Sequence, residues 1–262
     1  MTSKIKSPPA ITVFRGFDDK GQHVWSPFVV KLETRLRFGN LSYRAEAGSL
    51  FKAPRGKIPY ISIEHADGRA ETLGDSTLIT KAFIESGYLE DLNTHLSAIE
   101  QLQDMAIRAL LEEKLYFYQG HERWILNYYA MQSKIFGSLP WPIRTILGNI
   151  VYNKTTKAME GQGTLKFSAE EILGFRHDIW QAMNNYVVAI MAKQNDRDGP
   201  VWLLGGDQPT EGDAVLFSFI ASNLVSKAAP DSRQTLKSHP PLMDYARRIH
   251  EKYFPDYELW ES

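Results

Sequence analysis

The period of apolar positions changes once along this chain. Residues 11–17 read Ile-Thr-Val-Phe-Arg-Gly-Phe, a short β-branched and aromatic run of the kind a buried strand shows. After a polar loop at 18–23, Phe28, Val29, Leu32 and Leu36 form a helical stripe, with Ser26 at the N-cap and Pro27 at the first helical position. Residues 41–45, 58–63 and 70–73 read as three further strands, the last two joined by the turn His65-Ala66-Asp67-Gly68. A second helix starts at Asp75 or Ser76 and runs to Glu85. This order predicts an α/β layer in which a crossover helix leads to a parallel neighbour.

From Leu92 onward the strand signal disappears. Leu92, Leu96, Ile99, Leu102, Ala106 and Leu110 recur at spacings of three and four, predicting one long amphipathic helix. Further helices are expected over residues 122–134, 143–159, 169–194, 210–228 and 241–254. The change marks a domain boundary near residues 88–91, so we expect an α/β domain over 1–88 and an all-helical one over 89–262.

Composition narrows the chemistry. The 30 basic and 31 acidic residues give a net charge of -1, so there is no positive field for nucleic acid, and Arg247-Arg248 reads as a solvated helix face. There is no cysteine, which removes disulfides, thiolate metal sites and a protein-borne sulfur nucleophile; any reactive sulfur must arrive on a ligand. Residues 1–10 have no apolar signal region and no run of ~18 apolar residues follows, which gives a cytoplasmic protein as the default expectation. His121-Glu122 and His239 do not make a His-Glu-x-x-His pattern, so no metal is expected, and Gly161-Gln162-Gly163 lacks the flanks of a phosphate loop.

Four short motifs remain. In Gly56-Lys57-Ile58-Pro59-Tyr60 a proline stands at the mouth of a strand, as an edge residue, as a first residue or in a cis bond. Asp75-Ser76 sets two candidate caps side by side, and Ser26-Pro27 opens the first helix. Thr210-Glu211-Gly212-Asp213 has capping-box spacing ahead of an apolar helix.

In order and spacing these motifs resemble the glutathione transferase superfamily over nearly the whole chain. Ser26-Pro27 follows strand one, Ile58-Pro59 enters strand three, and Asp75-Ser76 opens the helix after strand four. Gly206-Asp207-Gln208-Pro209-Thr210 with Asp213 looks like the N-capping box of that superfamily's buried C-terminal helix. The run from Ser26 to Arg37 looks most like the failed axon connections and metaxin-related branch, although the polar residues 257–262 could not serve as a membrane anchor.

The resemblance implies a thioredoxin-like N-terminal domain, a cis Pro59, glutathione as co-substrate and a homodimer. It also implies roles: Ser26 donates to the glutathione thiolate, Lys57 reaches the glycyl carboxylate, Ile58 meets the cysteinyl backbone, and Asp75 with Ser76 holds the γ-glutamyl end. Tyr116, Tyr118 and Trp124 could wall a pocket for a small, apolar electrophile. Each residue also has a plainer use: Ser26 as a helix cap, Lys57 as a surface lysine, the three aromatics as core. The expected activity is a glutathione-dependent transferase or isomerase; the alternative is a non-catalytic binding or interaction protein of the same fold.

Overall fold

The computed structural model describes residues 9–65, 68–193 and 199–260. Four strands, β1 (Ala10–Phe14), β2 (Arg44–Glu46), β3 (Tyr60–Glu64) and β4 (Ala70–Gly74), form one sheet in the order β2-β1-β3-β4. β1 runs parallel to β2 and antiparallel to β3, and β4 is antiparallel to β3. Helix α1 (Pro27–Phe38) makes the crossover and α2 (Ser76–Glu85) follows β4, as the pattern predicts. The β3–β4 connection is a hairpin closed by a bond from the His65 amide to the Arg69 carbonyl; Ala66 and Asp67 of the expected turn lie outside the described residues.

The remainder is helical: α3 (Ala98–Ala109), α4 (Tyr116–Gly120), α5 (Tyr128–Phe136), α6 (Trp141–Gln162), α7 (Ala169–Met191), α8 (Glu211–Leu224), α9 (Pro230–Lys237) and α10 (Pro240–Tyr253). Two π-helical turns, Leu110–Leu115 and His121–Leu126, flank α4 and keep α3 and α4 on one path. No helix among the described residues is long and apolar enough to cross a membrane.

Helix α1 serves two cores. Leu32 and Leu36 pack with Ile11, Val13, Ile61, Ile79 and Phe83 under the sheet, while Val29 and Val30 join the larger core around α8. Residues 212–224 of α8 are all buried, which is why that helix is apolar on every face. Its start is held by Asp213, which accepts from the amides of Leu203 (2.9 Å) and Thr210 (2.7 Å), the Thr210 hydroxyl (2.9 Å) and the Tyr245 hydroxyl (2.8 Å).

Among the expectations that shift, two do so for local reasons and one through a contact from a distant part of the chain. Strand two starts at Arg44 rather than Leu41, because the Leu41 amide donates to the Leu36 carbonyl and closes α1. The long helix starts at Ala98, not Leu92, because Asp91 draws Asn93 and Thr94 into a turn and Ser97 with Glu100 forms a capping box. Its stripe also faces outward at Ile99 and Leu102, since the inner face is fixed by buried Asp104 bonding the Gly212 amide (2.6 Å) and Asn93 (2.7 Å).

Candidate functional site

The loop from Arg15 to Trp25 sets the position of Ser26. Buried Arg15 donates to the carbonyls of Asp19 (2.6 Å) and Gln22 (2.5 Å) and pairs with Glu33 (3.1 Å), folding the loop onto α1. At the loop's end Arg123, from the second π turn, donates to the Trp25 carbonyl (2.6 Å) and to Asn223 Oδ1 of α8 (3.0 Å). The residue before Ser26 is thus fixed by the helical part of the chain. Burial, the first cause, pulls the Arg123 guanidinium down to about 10, still charged at neutral pH.

Ser26 is the N-cap of α1, with extended backbone and a carbonyl that accepts the first helical bond from Val30 (3.2 Å). Its hydroxyl makes no capping bond, so it is not spent on the helix. Pro27 at the first position has no N–H, leaving the next amides and the positive end of the helix dipole to face an anion beside Ser26.

The second and third motifs meet directly. The Ile58-Pro59 bond is cis, and the Pro59 carbonyl accepts from the Asp75 amide at 3.2 Å, which joins the strand mouth to the start of α2. The Ile58 side chain lies over Gly16, where an added Cβ would come within 3.3 Å of it; Gly16 has φ +75, so a side chain there would be crowded and strained. Ile58 therefore sits against the loop that carries Ser26. Among the described residues its backbone N–H and C=O are unpaired, as an edge ready for an added strand would be.

Asp75 holds φ +82, costly for a residue with a side chain, and its Oδ1 accepts from the amides of Thr77 (3.0 Å) and Leu78 (3.2 Å). One carboxylate oxygen caps α2 and the other is unspent. Ser76 is buried beside it, and Lys57 is exposed.

The three aromatics separate. Tyr116 packs against Phe28 in the first turn of α1 at 4.9 Å. Tyr118 turns toward Phe175 of α7 (5.6 Å), and Trp124 packs on the cluster of Trp25, Met131 and Ala228.

Sequence reasoning passed over Lys31, Arg15 and Arg123. Lys31 projects from α1 to Thr77 Oγ1 (2.8 Å) and Glu112 (2.5 Å), in a cleft of about 600 Å³ that also touches Asp91, Asn93 and Arg108. A pocket of about 450 Å³ lies against Asp19, His23, Trp25 and Lys134. Nothing in the sequence marked these cations, because their partners are 46 to 100 positions away for Lys31 and Arg123. Among the described residues no group of three or more His, Asp or Glu is placed to hold a metal ion.

Two protein-family models match this chain: a glutathione S-transferase N-terminal domain over residues 27–131 and a glutathione S-transferase C-terminal domain over residues 199–249. The isoprene-epoxide glutathione S-transferase of Rhodococcus sp. (strain AD45) is 25% identical over 238 residues, covering 87% of this chain and 92% of that protein. Metaxin-2 of Mus musculus is 23% identical over 215 residues, covering 80% of this chain and 75% of that protein. Among solved structures, a glutathione transferase family member from Pseudomonas fluorescens pf-5 with two glutathione bound superposes with a TM-score of 0.54 at 14% identity, covering 94% of this chain and 90% of that one.

Proposed function

The chain belongs to the glutathione S-transferase family, and from that membership we propose that it binds glutathione and activates its thiol at the start of α1 for reaction with a small electrophile. The observation that carries this reading is the joint between motifs, the Asp75 amide on the cis-Pro59 carbonyl, together with a Ser26 hydroxyl that its own helix leaves unused.

The chemistry follows from those groups. A free thiol titrates near ~8.5, and bringing it to ~7 requires about 2 kcal/mol of anion stabilisation. A hydrogen bond from the Ser26 hydroxyl to a thiolate, worth ~1.5–3 kcal/mol, meets that need together with the helix end. Ser26 is the donor and the glutathione sulfur the nucleophile. The Ile58 backbone pairs with the cysteinyl unit; the spare Asp75 oxygen takes the ammonium, and Ser76 the α-carboxylate at the start of α2. Lys57 reaches the glycyl carboxylate. Tyr116, against Phe28, walls the electrophile side, while Tyr118 and Trp124 pack elsewhere and are left out of the pocket.

The proposal includes a division into residues 1–88 and 89–262, and a homodimer for which the outward Ile99 and Leu102 of α3 supply apolar surface. The Rhodococcus relative supports conjugation of an epoxide-class electrophile. The match to metaxin-2 supports a second reading, an interaction module that keeps the fold without turnover. Isothermal titration with glutathione separates them: saturable binding weakened by Asp75→Asn supports the transferase, and no heat at millimolar ligand leaves the interaction module.

A further inference from the structure

Helix α6 carries an apolar ridge on its outer face. Ile143, Ile146 and Ile150 are 49%, 60% and 57% exposed. At 100° per residue Ile143, Ile146 and Ile150 share one side, and Lys154 and Lys157 continue the same line toward the C-terminus. The opposite side is the packed one: Gly148 abuts the Tyr128 hydroxyl and Gln132, Tyr152 stacks edge-on against Tyr128 (5.4 Å), and Met159 is buried. The ridge therefore contributes nothing to the fold that would explain its composition.

Charge points to the occupant. No Asp or Glu occurs between Glu122 and Glu160, although the chain holds 31 acidic residues, and within that interval α6 carries Arg144, Lys154 and Lys157. Among the described residues no carboxylate pairs with Lys154 or Lys157. We infer that this face of α6 docks on an anionic lipid surface, with the three isoleucines entering the acyl boundary and the two lysines meeting phosphate headgroups.

The geometry suits a bilayer. Lys154 lies one turn beyond Ile150, about 6 Å along the axis, so the lysines stand beside the apolar patch, and their long stems can carry the ammonium groups up to the headgroups. Protruding side chains without walls around them fit a fluid surface better than a peptide. This surface is separate from the glutathione site, so its failure leaves that site untouched.

The test is co-sedimentation of the full chain with phosphatidylcholine vesicles, with and without about 30 mol % phosphatidylserine. The expected result is binding to the anionic vesicles only, falling roughly tenfold or more in Ile146→Ser/Ile150→Ser and in Lys154→Glu/Lys157→Glu. Unchanged thermal melting of both variants shows that the fold is intact. No binding by the wild type, or binding indifferent to both variants, overturns the inference. Self-association in sedimentation equilibrium that Ile146→Ser/Ile150→Ser abolishes, without vesicle binding, overturns it in favour of a second copy.

Discussion

Replacing Asp213 by alanine strips four donors of one acceptor: the amides of Leu203 and Thr210 and the hydroxyls of Thr210 and Tyr245. At about 2 kcal/mol for each buried donor left unpaired, the gross cost is roughly 8 kcal/mol. Removing the charge gives some of this back. Burial, the largest cause, raises the Asp213 carboxyl from 3.8 to about 6, so ionising it in the native state costs about 3 kcal/mol. Rotation of the two hydroxyls reduces the loss further, and we expect Asp213→Ala to destabilise by about 3–5 kcal/mol at pH 7. The pH dependence has a definite sign. A carboxyl raised on folding contributes stability that is complete below its unfolded value and is lost as pH rises through its folded one. The deficit of the variant should therefore be larger at pH 5 than at pH 7, by about 1 kcal/mol. Urea denaturation of both proteins at the two pH values reads this directly. A deficit under about 1 kcal/mol, or one that shrinks on acidification, would refute the account of the buried cap.

Arg123→Ala should cost about 2–4 kcal/mol and, by freeing the Trp25 carbonyl, weaken glutathione binding in titration calorimetry. Asp75→Asn keeps both the cap and a residue tolerant of positive φ, so melting should stay within about 0.5 kcal/mol of wild type while glutathione affinity drops roughly tenfold. His23 is held well below its ordinary value by burial, then by His250 and Arg15. Its stabilising neutral form is complete above about 6.5 and is lost as pH falls, so His23→Gln should show a smaller acid-induced loss than wild type; equal losses would contradict this.

What could be read from sequence was what local chemistry encodes. Pro27 after Ser26, the period of α1 and the Thr210–Asp213 spacing predict elements that the structure contains, because each depends on neighbours within a turn or two. Helix α9 was not expected. Its first amides, Asp231 and Ser232, bond to Glu122 Oε1 at 2.8 and 3.1 Å, a cap supplied from more than a hundred positions away. The outward turn of Ile99 and Leu102 was hidden for a similar reason: a stripe gives the apolar face of a helix, but Asp104 on the Gly212 amide decides which face meets the protein. At the candidate site the three motifs were legible as motifs. The link that brings two of them together, the Asp75 amide on the Pro59 carbonyl, and the clamp of Arg123 on Trp25 are tertiary contacts with no sequence signature.

The most direct test of the proposed chemistry is the ionisation of bound glutathione in wild type and Ser26→Ala, followed by thiolate absorbance at roughly 240 nm. If the Ser26 hydroxyl donates to the sulfur, its removal takes away a charge-assisted bond of ~1.5–3 kcal/mol, and at ~1.36 kcal/mol per unit the thiol should titrate about one to two units higher. Affinity should change far less, since Ile58, Asp75 and Ser76 remain, and turnover lost at neutral pH should recover as pH rises. Bound thiol ionising at the same pH in both proteins would contradict the account and leave Ser26 as nothing more than the residue at the start of a helix.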